Sequence, residues 1–556
     1  MTALSSHVDD FCARHLPPRE QWPEFRFDLP ELRFPERINC AWHLLDRWVE
    51  QGHGDRMCLI GAEHRWTYAE LQAEANRIAH VLVNEGGLVP GNRVLLRGAN
   101  SPRLAACWLA VVKAGGVVVG SMPLLRAGEL AQIIDKAAIT HALCDERLAG
   151  ELRAAMPQCP TLTRVLYFHT AAFSGLEARA AAQPAQFRHV DTAAEDTCLM
   201  AFTSGTTGTP KAALHFHRDV LAACVCWPRH HLRARPDDVF IGTPPLAFTF
   251  GLGGLLLFPM AIGASSVLLE QATPDVLPAA IARYRATVCF TSPTGYRAMA
   301  ARAGEHDLSS LRKCVSAGEP LPAATRALWK AATGMEMIDG IGSTELLHIV
   351  ISHPDDDARP GATGKPVPGY TAAILDEQLR PVPLGQVGQL AIKGPTGCRY
   401  LADDRQRQHV QQGWNLTGDA YLMDEDGWFV YQARTDDMIV SGGYNIAGPE
   451  VEGVLLAHPA VAECVVIGVP DDARGQVVAA YVVLRPGYAP GEVLVKQLQE
   501  HVKQRIAPYK YPRRIEFRQS LPCTETGKLQ RFRVRVEARS QTGLASEAGQ
   551  AGGAAP

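Results

Sequence analysis

Short apolar runs alternate with amphipathic helical stretches along most of this chain, and that rhythm leaves few folds open to it. Thr67 and Glu70 have the spacing of a capping box, ahead of a helix whose apolar positions Leu71, Ala75, Ile78 and Leu82 share one face as far as Gly86. Residues 94–96 read as a buried strand, Ser101 and Pro102 open an apolar helix that closes at Gly115, and residues 117–119 begin the next strand. The same unit recurs around residues 198–202, 288–291 and 314–316. Such alternation predicts an α/β fold class: parallel sheets covered by helices, with ligand sites at the carboxyl ends of strands.

Beyond about residue 435 the pattern changes. Pro449 opens a helix, residues 461–468 and 477–484 are β-rich, and Val493, Leu494, Leu498 and Val502 are read onto one helical face. With residues 514–517 these form a small α+β domain. The last stretch is Ala, Gly, Gln and Ser with little to bury, so a disordered tail is expected. The organisation expected is a large N-terminal domain over residues 1–435, a small domain over 436–540 and a tail over 541–556.

At 556 residues, with 55 Lys plus Arg against 58 Asp plus Glu, the chain lacks the basic surplus of a dedicated nucleic-acid binder. Fourteen scattered cysteines form no CxxC set, and the expectation is reduced, mostly buried thiols in the cytosol. No charged residue occurs from 239 to 269, long enough to span a bilayer, yet Pro244, Pro245, Pro259 and five glycines interrupt it. It reads as two buried strands, a glycine-rich turn and a short core helix, so no membrane span is expected.

The sharpest local signal is Thr203-Ser204-Gly205-Thr206-Thr207-Gly208-Thr209-Pro210-Lys211, directly after an apolar strand. Glycines allow a tight turn on which amide N–H groups and hydroxyls converge on phosphate oxygens, and Lys211 adds a positive charge. Ala212 follows the lysine, so this is not a Walker A sequence.

Together with Gly340-Ile341-Gly342-Ser343-Thr344-Glu345, Thr417-Gly418-Asp419, Arg434-Thr435-Asp436-Asp437 and Thr526-Gly527-Lys528, this loop resembles the acyl-adenylate-forming superfamily of acyl-CoA synthetases, adenylation domains and luciferases. Gly342 to Ile349 and Phe248-Thr249-Phe250-Gly251-Leu252-Gly253 look most like benzoate-CoA and 2-aminobenzoate-CoA ligases, and His215-Phe216-His217-Arg218-Asp219 leans toward the aminobenzoate branch. The resemblance implies a large parallel-rich domain with a distorted barrel subdomain and a mobile small domain. It implies an ATP- and Mg²⁺-dependent cytoplasmic ligase that activates an aromatic carboxylate as acyl-AMP and passes it to coenzyme A. A separate carrier protein as acceptor, or a medium-chain acid as substrate, is the alternative; monomer and homodimer both stay open.

The residue roles implied are these. Glu345 carries Mg²⁺, Thr344 and Lys211 meet phosphate, and Lys528 bridges carboxylate and α-phosphate as charge moves. Thr203, Ser204, Gly205, Thr206, Thr207 and Gly208 cradle phosphate, Gly318, Glu319 and Pro320 border the adenine, and Asp339 and Gly340 join the cofactor-binding set. Asp419 accepts the ribose hydroxyls with Arg434 beside it. Asp436 is the hinge, and Gly442 and Gly443 line the pantetheine path after rotation. Phe248, Thr249, Phe250, Gly342, His348 and Ile349 form the acyl pocket. Several have plain alternatives: Glu319 as a surface acid, Gly442 and Gly443 as a turn, Phe248 and Phe250 as core, His348 as a satisfied core histidine. Thr249 stands where benzoate ligases carry Ala, which favours a ring with an ortho polar group.

Overall fold

The computed structural model describes residues 4–203, 210–435, 437–441, 444–471, 475–506, 508–523 and 529–541. Alternating strands and helices build two parallel-rich sheets. The first runs, in spatial order, Arg164–Phe168, His141–Asp145, Arg93–Arg97, Val117–Ser121, β1 (Thr197–Thr203) and β2 (Lys211–Phe216). Its first five strands are mutually parallel, and β2 turns back antiparallel on β1 to lead into α1 (His217–Trp227). A nine-stranded sheet carries, in its middle, Val239–Gly242, Val288–Thr291, β3 (Lys313–Ser316) and β4 (Met337–Gly342), all parallel; β5 (Ile349–Ser352) then pairs antiparallel with β4.

Local rules account for the helices that cover these sheets. Thr67 accepts the Glu70 N–H while the Glu70 carboxylate accepts the Thr67 N–H at 2.8 Å, so the capping box starts the helix Tyr68–His80. Ser101 caps Pro102–Lys113, a helix in which every residue is buried between the sheets.

A five-stranded antiparallel sheet lies between Thr371 and Arg434; it includes β6 (Trp414–Met423) and β7 (Phe429–Arg434). Residues 439–518 form a further sheet, in which Val461–Asp471 pairs antiparallel with Gly475–Leu484 and Arg514–Arg518 adds in parallel. The helices Gly448–Leu456 and Glu492–Lys503 pack on it over a core of its own. Leu494, Leu498 and Val502 are buried there, but Val493 is 73% exposed. One position off an i, i+4, i+8 stripe is a rotation of about 100° around the helix, which takes Val493 out of the core.

The uncharged stretch 239–269 differs from the expectation in its middle. Strands Val239–Gly242 and Ser265–Val267 are present, but the glycine-rich part is helical, running from Thr249 to Ala261 with a π-type turn at Gly253–Leu257. Its glycines serve close packing: a Cβ on Gly251 would lie 2.1 Å from the Pro245 carbonyl oxygen, and one on Gly254 would lie 2.5 Å from the Phe290 ring. Gly254→Ala should therefore cost about 1–3 kcal/mol by overpacking, read as a lower urea midpoint at unchanged slope; an unshifted midpoint would contradict this packing. Among the described residues no helix is long and apolar enough to cross a membrane.

Candidate active site

The predicted chemistry-bearing loops leave the carboxyl ends of β1, β3 and β4, the ends at which parallel sheets present ligands. Thr203 closes β1 and pairs in register with Lys211, the first residue of β2, so the intervening loop starts and ends on neighbouring strands. Ser204, Gly205, Thr206, Thr207 and Gly208, together with Asp436, Gly442, Gly443 and Lys528, lie outside the described residues.

Beside β2 runs the segment 399–401. Leu214 N–H donates to the Arg399 carbonyl at 2.8 Å and Leu401 N–H to the Ala212 carbonyl at 2.9 Å. The buried Arg399 guanidinium pairs with Asp219, whose carboxylate also accepts the Phe216 N–H at 2.8 Å. This anchoring places Tyr400 in the centre of the site. Its ring lies 5.3 Å beneath the Lys211 ammonium, and its hydroxyl donates to Glu345 Oε1. Burial pushes the Glu345 carboxyl up, but the nearby His409 and the Tyr400 hydroxyl outweigh it and hold the group below its ordinary range. Glu345 is therefore an ionised, almost fully buried carboxylate.

Neutral donors also hold the loop that bears it from beneath. Burial lowers His215 to about 4, so the neutral imidazole donates Nε2–H to the Thr344 carbonyl at 2.8 Å. The Thr396 hydroxyl donates to the Leu346 carbonyl at 2.7 Å, and Tyr370 backs Thr396 at 2.8 Å. Leu347 turns the chain into β5 with φ of 72°, a left-handed conformation that a bulky residue adopts only when its surroundings impose it.

On the other flank, Asp419 in β6 faces Arg434 in β7, and Arg434 Nη1 donates to Asp419 Oδ1 at 3.1 Å and to the Thr417 carbonyl at 3.0 Å. Gly418 reaches φ of +74° there, and a Cβ would meet the Arg434 guanidinium at 2.7 Å, so only glycine suits the corner. The His409 imidazole, lowered by burial, feels both Glu345 and Arg434 and so links this pair to the Glu345 cluster. Asp339, in β4, is buried, and burial pushes its carboxyl up to about 7; its carbonyl accepts the Ser352 hydroxyl at 2.6 Å. Gly340 and Gly342 lie against β5 so closely that a Cβ on Gly342 would fall 2.2 Å from the His348 carbonyl oxygen.

Gly318 and Pro320 are exposed beyond β3, with Gly318 at φ of +90°. The Glu319 carboxylate accepts from the Thr294 hydroxyl at 2.8 Å and from the Thr294 N–H at 3.3 Å, at the start of the helix Pro293–Ala300. This gives the acid a helix-capping task.

The six acyl-pocket candidates divide between two places. His348 is buried in an aromatic cage, with Phe258, Phe250 and Trp227 ring centres at 4.4, 5.7 and 5.7 Å. The buried Ile349 follows it in sequence and pairs across β5 and β4 with Gly342. Burial drops its pKa to about 3, so the ring is neutral. Nε2 approaches the Phe250 carbonyl at 3.4 Å, while the buried Nδ1 has no partner among the described residues. Phe248, 37% exposed, and Thr249 instead line a recess against the first sheet, beside Trp108, Ser121 and Leu246.

Tyr400, His215, His409 and Trp227 were not among the residues that the sequence singled out for this site. His215 carried a signal only as part of the stretch 215–219, and Tyr400 lies 55 positions from the carboxylate it touches.

A model described as "AMP-binding enzyme" matches residues 45–400, and one described as "AMP-binding enzyme C-terminal domain" matches 450–528. A benzoate–CoA ligase of Thauera aromatica is 36% identical over 513 residues, covering 91% of this chain and 97% of that protein. The crystal structure of the anthranilate CoA ligase AuaEII with anthranoyl-AMP superposes with a TM-score of 0.88 at 34% identity, covering 93% of this chain and all of that one. A benzoate CoA ligase from Burkholderia xenovorans LB400 does so with a TM-score of 0.82 at 31% identity, covering 90% of this chain and 100% of that one.

Proposed function

The chain belongs to the AMP-binding enzyme family and is an AMP-forming acyl-CoA synthetase of the aryl-CoA ligase kind, and from that premise we propose that its acid is 2-aminobenzoate in preference to benzoate. The observation that carries this reading is His348: a neutral imidazole in an aromatic cage, its buried Nδ1 lacking a partner among the described residues. With Nε2–H turned to the Phe250 carbonyl, Nδ1 is a bare acceptor. A buried acceptor without a donor costs about 1–3 kcal/mol, and the amino group ortho to the carboxylate supplies that donor. The cage walls favour a flat ring over a flexible chain.

The division of labour follows from the chemistry. The acid's carboxylate attacks the α-phosphorus of ATP and pyrophosphate leaves; the acyl-adenylate then passes to the thiol of coenzyme A. The attacking group is already an anion, so no protein base is needed, and the task is to align and neutralise two anions. Lys211 and the 203–208 loop take the phosphates, Thr344 the α-phosphate, and Asp419 the ribose hydroxyls, with Arg434 holding the Asp419 carboxylate in place. Gly318, Pro320, Asp339 and Gly340 border the adenine. Tyr400 and His215 are positioning residues, fixing Glu345 and the Thr344 carbonyl. A hard-oxygen donor held ionised is what Mg²⁺ selects, so Glu345 fits as its protein ligand. When bound, the ion offsets phosphate charge. We place the large unit at 1–435 and the small one at 436–540, with the enzyme acting in the cytoplasm.

Pyrophosphate release over a panel of acids, with and without coenzyme A, tests the reading. The expected result is a kcat/KM at least tenfold higher for 2-aminobenzoate than for benzoate, coenzyme A turnover in both, and loss of that ratio in His348→Leu. Equal use of the two acids, preference for an aliphatic acid, or a ratio unchanged in His348→Leu would overturn the assignment.

A further inference from the structure

Away from the acyl pocket, two thiols and an imidazole meet in the core. Cys40 and Cys198 are wholly buried with their Sγ atoms 4.0 Å apart. The buried His217 places Nδ1 3.2 Å from Cys40 Sγ, and the same nitrogen accepts the Cys40 N–H at 3.1 Å. The three side chains lie within the span of a metal shell. The Nδ1 lone pair, however, is already directed at a main-chain N–H, and an ion bound there would leave that buried N–H unpaired. The arrangement is that of a close, buried thiol pair.

We propose that Cys40 and Cys198 are an oxidisable pair, closing to a disulfide when a peroxide reaches them. The Cys40 sulfur attacks one peroxide oxygen. The O–O bond breaks, leaving a sulfenic acid on Cys40 and a hydroxide that takes the Cys40 thiol proton as water. Cys198 sulfur then attacks the Cys40 sulfur, the S–O bond breaks, and the departing hydroxide leaves as a second water with the Cys198 proton. Two thiols thus lose two electrons and two protons, and hydrogen peroxide becomes two waters.

The location gives this chemistry a consequence. Cys198 lies in β1, which ends at Thr203 where the glycine-threonine loop begins, and His217 opens α1 behind β2. A disulfide brings the sulfurs to about 2.05 Å, so closing the 4.0 Å gap pulls Cys198 and β1 toward the segment around Cys40. That shift reaches the ATP loop, and here the inference rests on the function proposed above. Full burial also means that oxidation waits on local opening and is slower than at Cys523, the one exposed thiol among the described residues.

The test uses the full chain with Cys523→Ser, reduced and then treated with hydrogen peroxide. The expected product is lighter by about 2 Da, yields a cross-linked peptide joining residues 40 and 198, and releases pyrophosphate at least tenfold more slowly until dithiothreitol restores it. Cys198→Ser, or Cys198→Ala should the serine variant not fold, must abolish both the cross-link and the loss. Absence of that cross-link overturns the thiol pair whatever the activity shows. A cross-link with unchanged pyrophosphate release overturns its link to the loop. Metal in the purified protein that disappears in Cys198→Ser and blocks oxidation overturns it in favour of a metal centre.

Discussion

Glu345→Gln should lower acid-dependent pyrophosphate release by about 10²–10³-fold, the loss that follows removal of one preorganised electrostatic contact, about 3–4 kcal/mol. The replacement keeps size and burial but removes the charge that burial opposes and that His409 and Tyr400 sustain. Tyr400→Phe separates placement from charge. The ring beneath Lys211 stays, the hydroxyl to Glu345 goes, and the expected change is a higher Mg²⁺ concentration for half-maximal rate, with KM for coenzyme A unmoved. A Glu345→Gln enzyme with full adenylation activity would remove the carboxylate from the mechanism. A Tyr400→Phe enzyme with unaltered Mg²⁺ dependence would make the hydroxyl purely structural.

Lys528→Ala should fall as far, but in one half-reaction. An ammonium bridging carboxylate and α-phosphate stabilises charge that develops only in the first transition state. Pyrophosphate release should therefore drop by about 10²–10³-fold, while thioester formation from supplied acyl-adenylate proceeds nearly unchanged. Parallel loss in both steps would count against the role. Lys528 lies outside the described residues, so this expectation stands on the Thr526-Gly527-Lys528 motif.

What could be read from the sequence was local chemistry. The alternation of strands and helices, the capping box at Thr67 and the placement of the loops at the carboxyl ends of β1, β3 and β4 all depend on neighbouring residues. Tyr400 and His215 escaped because each acts across more than fifty residues through a side-chain hydrogen bond; nothing near Tyr400 marks it, and His215 stood out only within the stretch 215–219, with no role attached. The trio of Cys40, Cys198 and His217 was illegible for the same reason, since spacing rules find metal or redox sets only when their members are neighbours in the chain. The glycines at 251–254 misled in another way. Glycine marks a turn when φ must be positive, but here the backbone is helical and the missing side chains admit a carbonyl, an imidazole and a phenyl ring. Phe248 and Phe250, two positions apart, were read as one wall, yet the helix that begins at Thr249 sends them to separate surroundings.

Gly253 lies so close to His348 that a Cβ would sit 2.4 Å from its ring, so the cage has no slack on that side. On the proposed reading, in which this cage receives the acid's ring, broadening the substrate range would proceed by trimming one of its other walls, such as Phe250 or Phe258. Each trim admits water to an imidazole that burial alone keeps at about 3, letting its basicity climb toward the ordinary value near 6.5. An enzyme of this lineage that gains bulkier acids should thereby lose activity on the acidic side of neutrality, tying versatility to a narrower working pH.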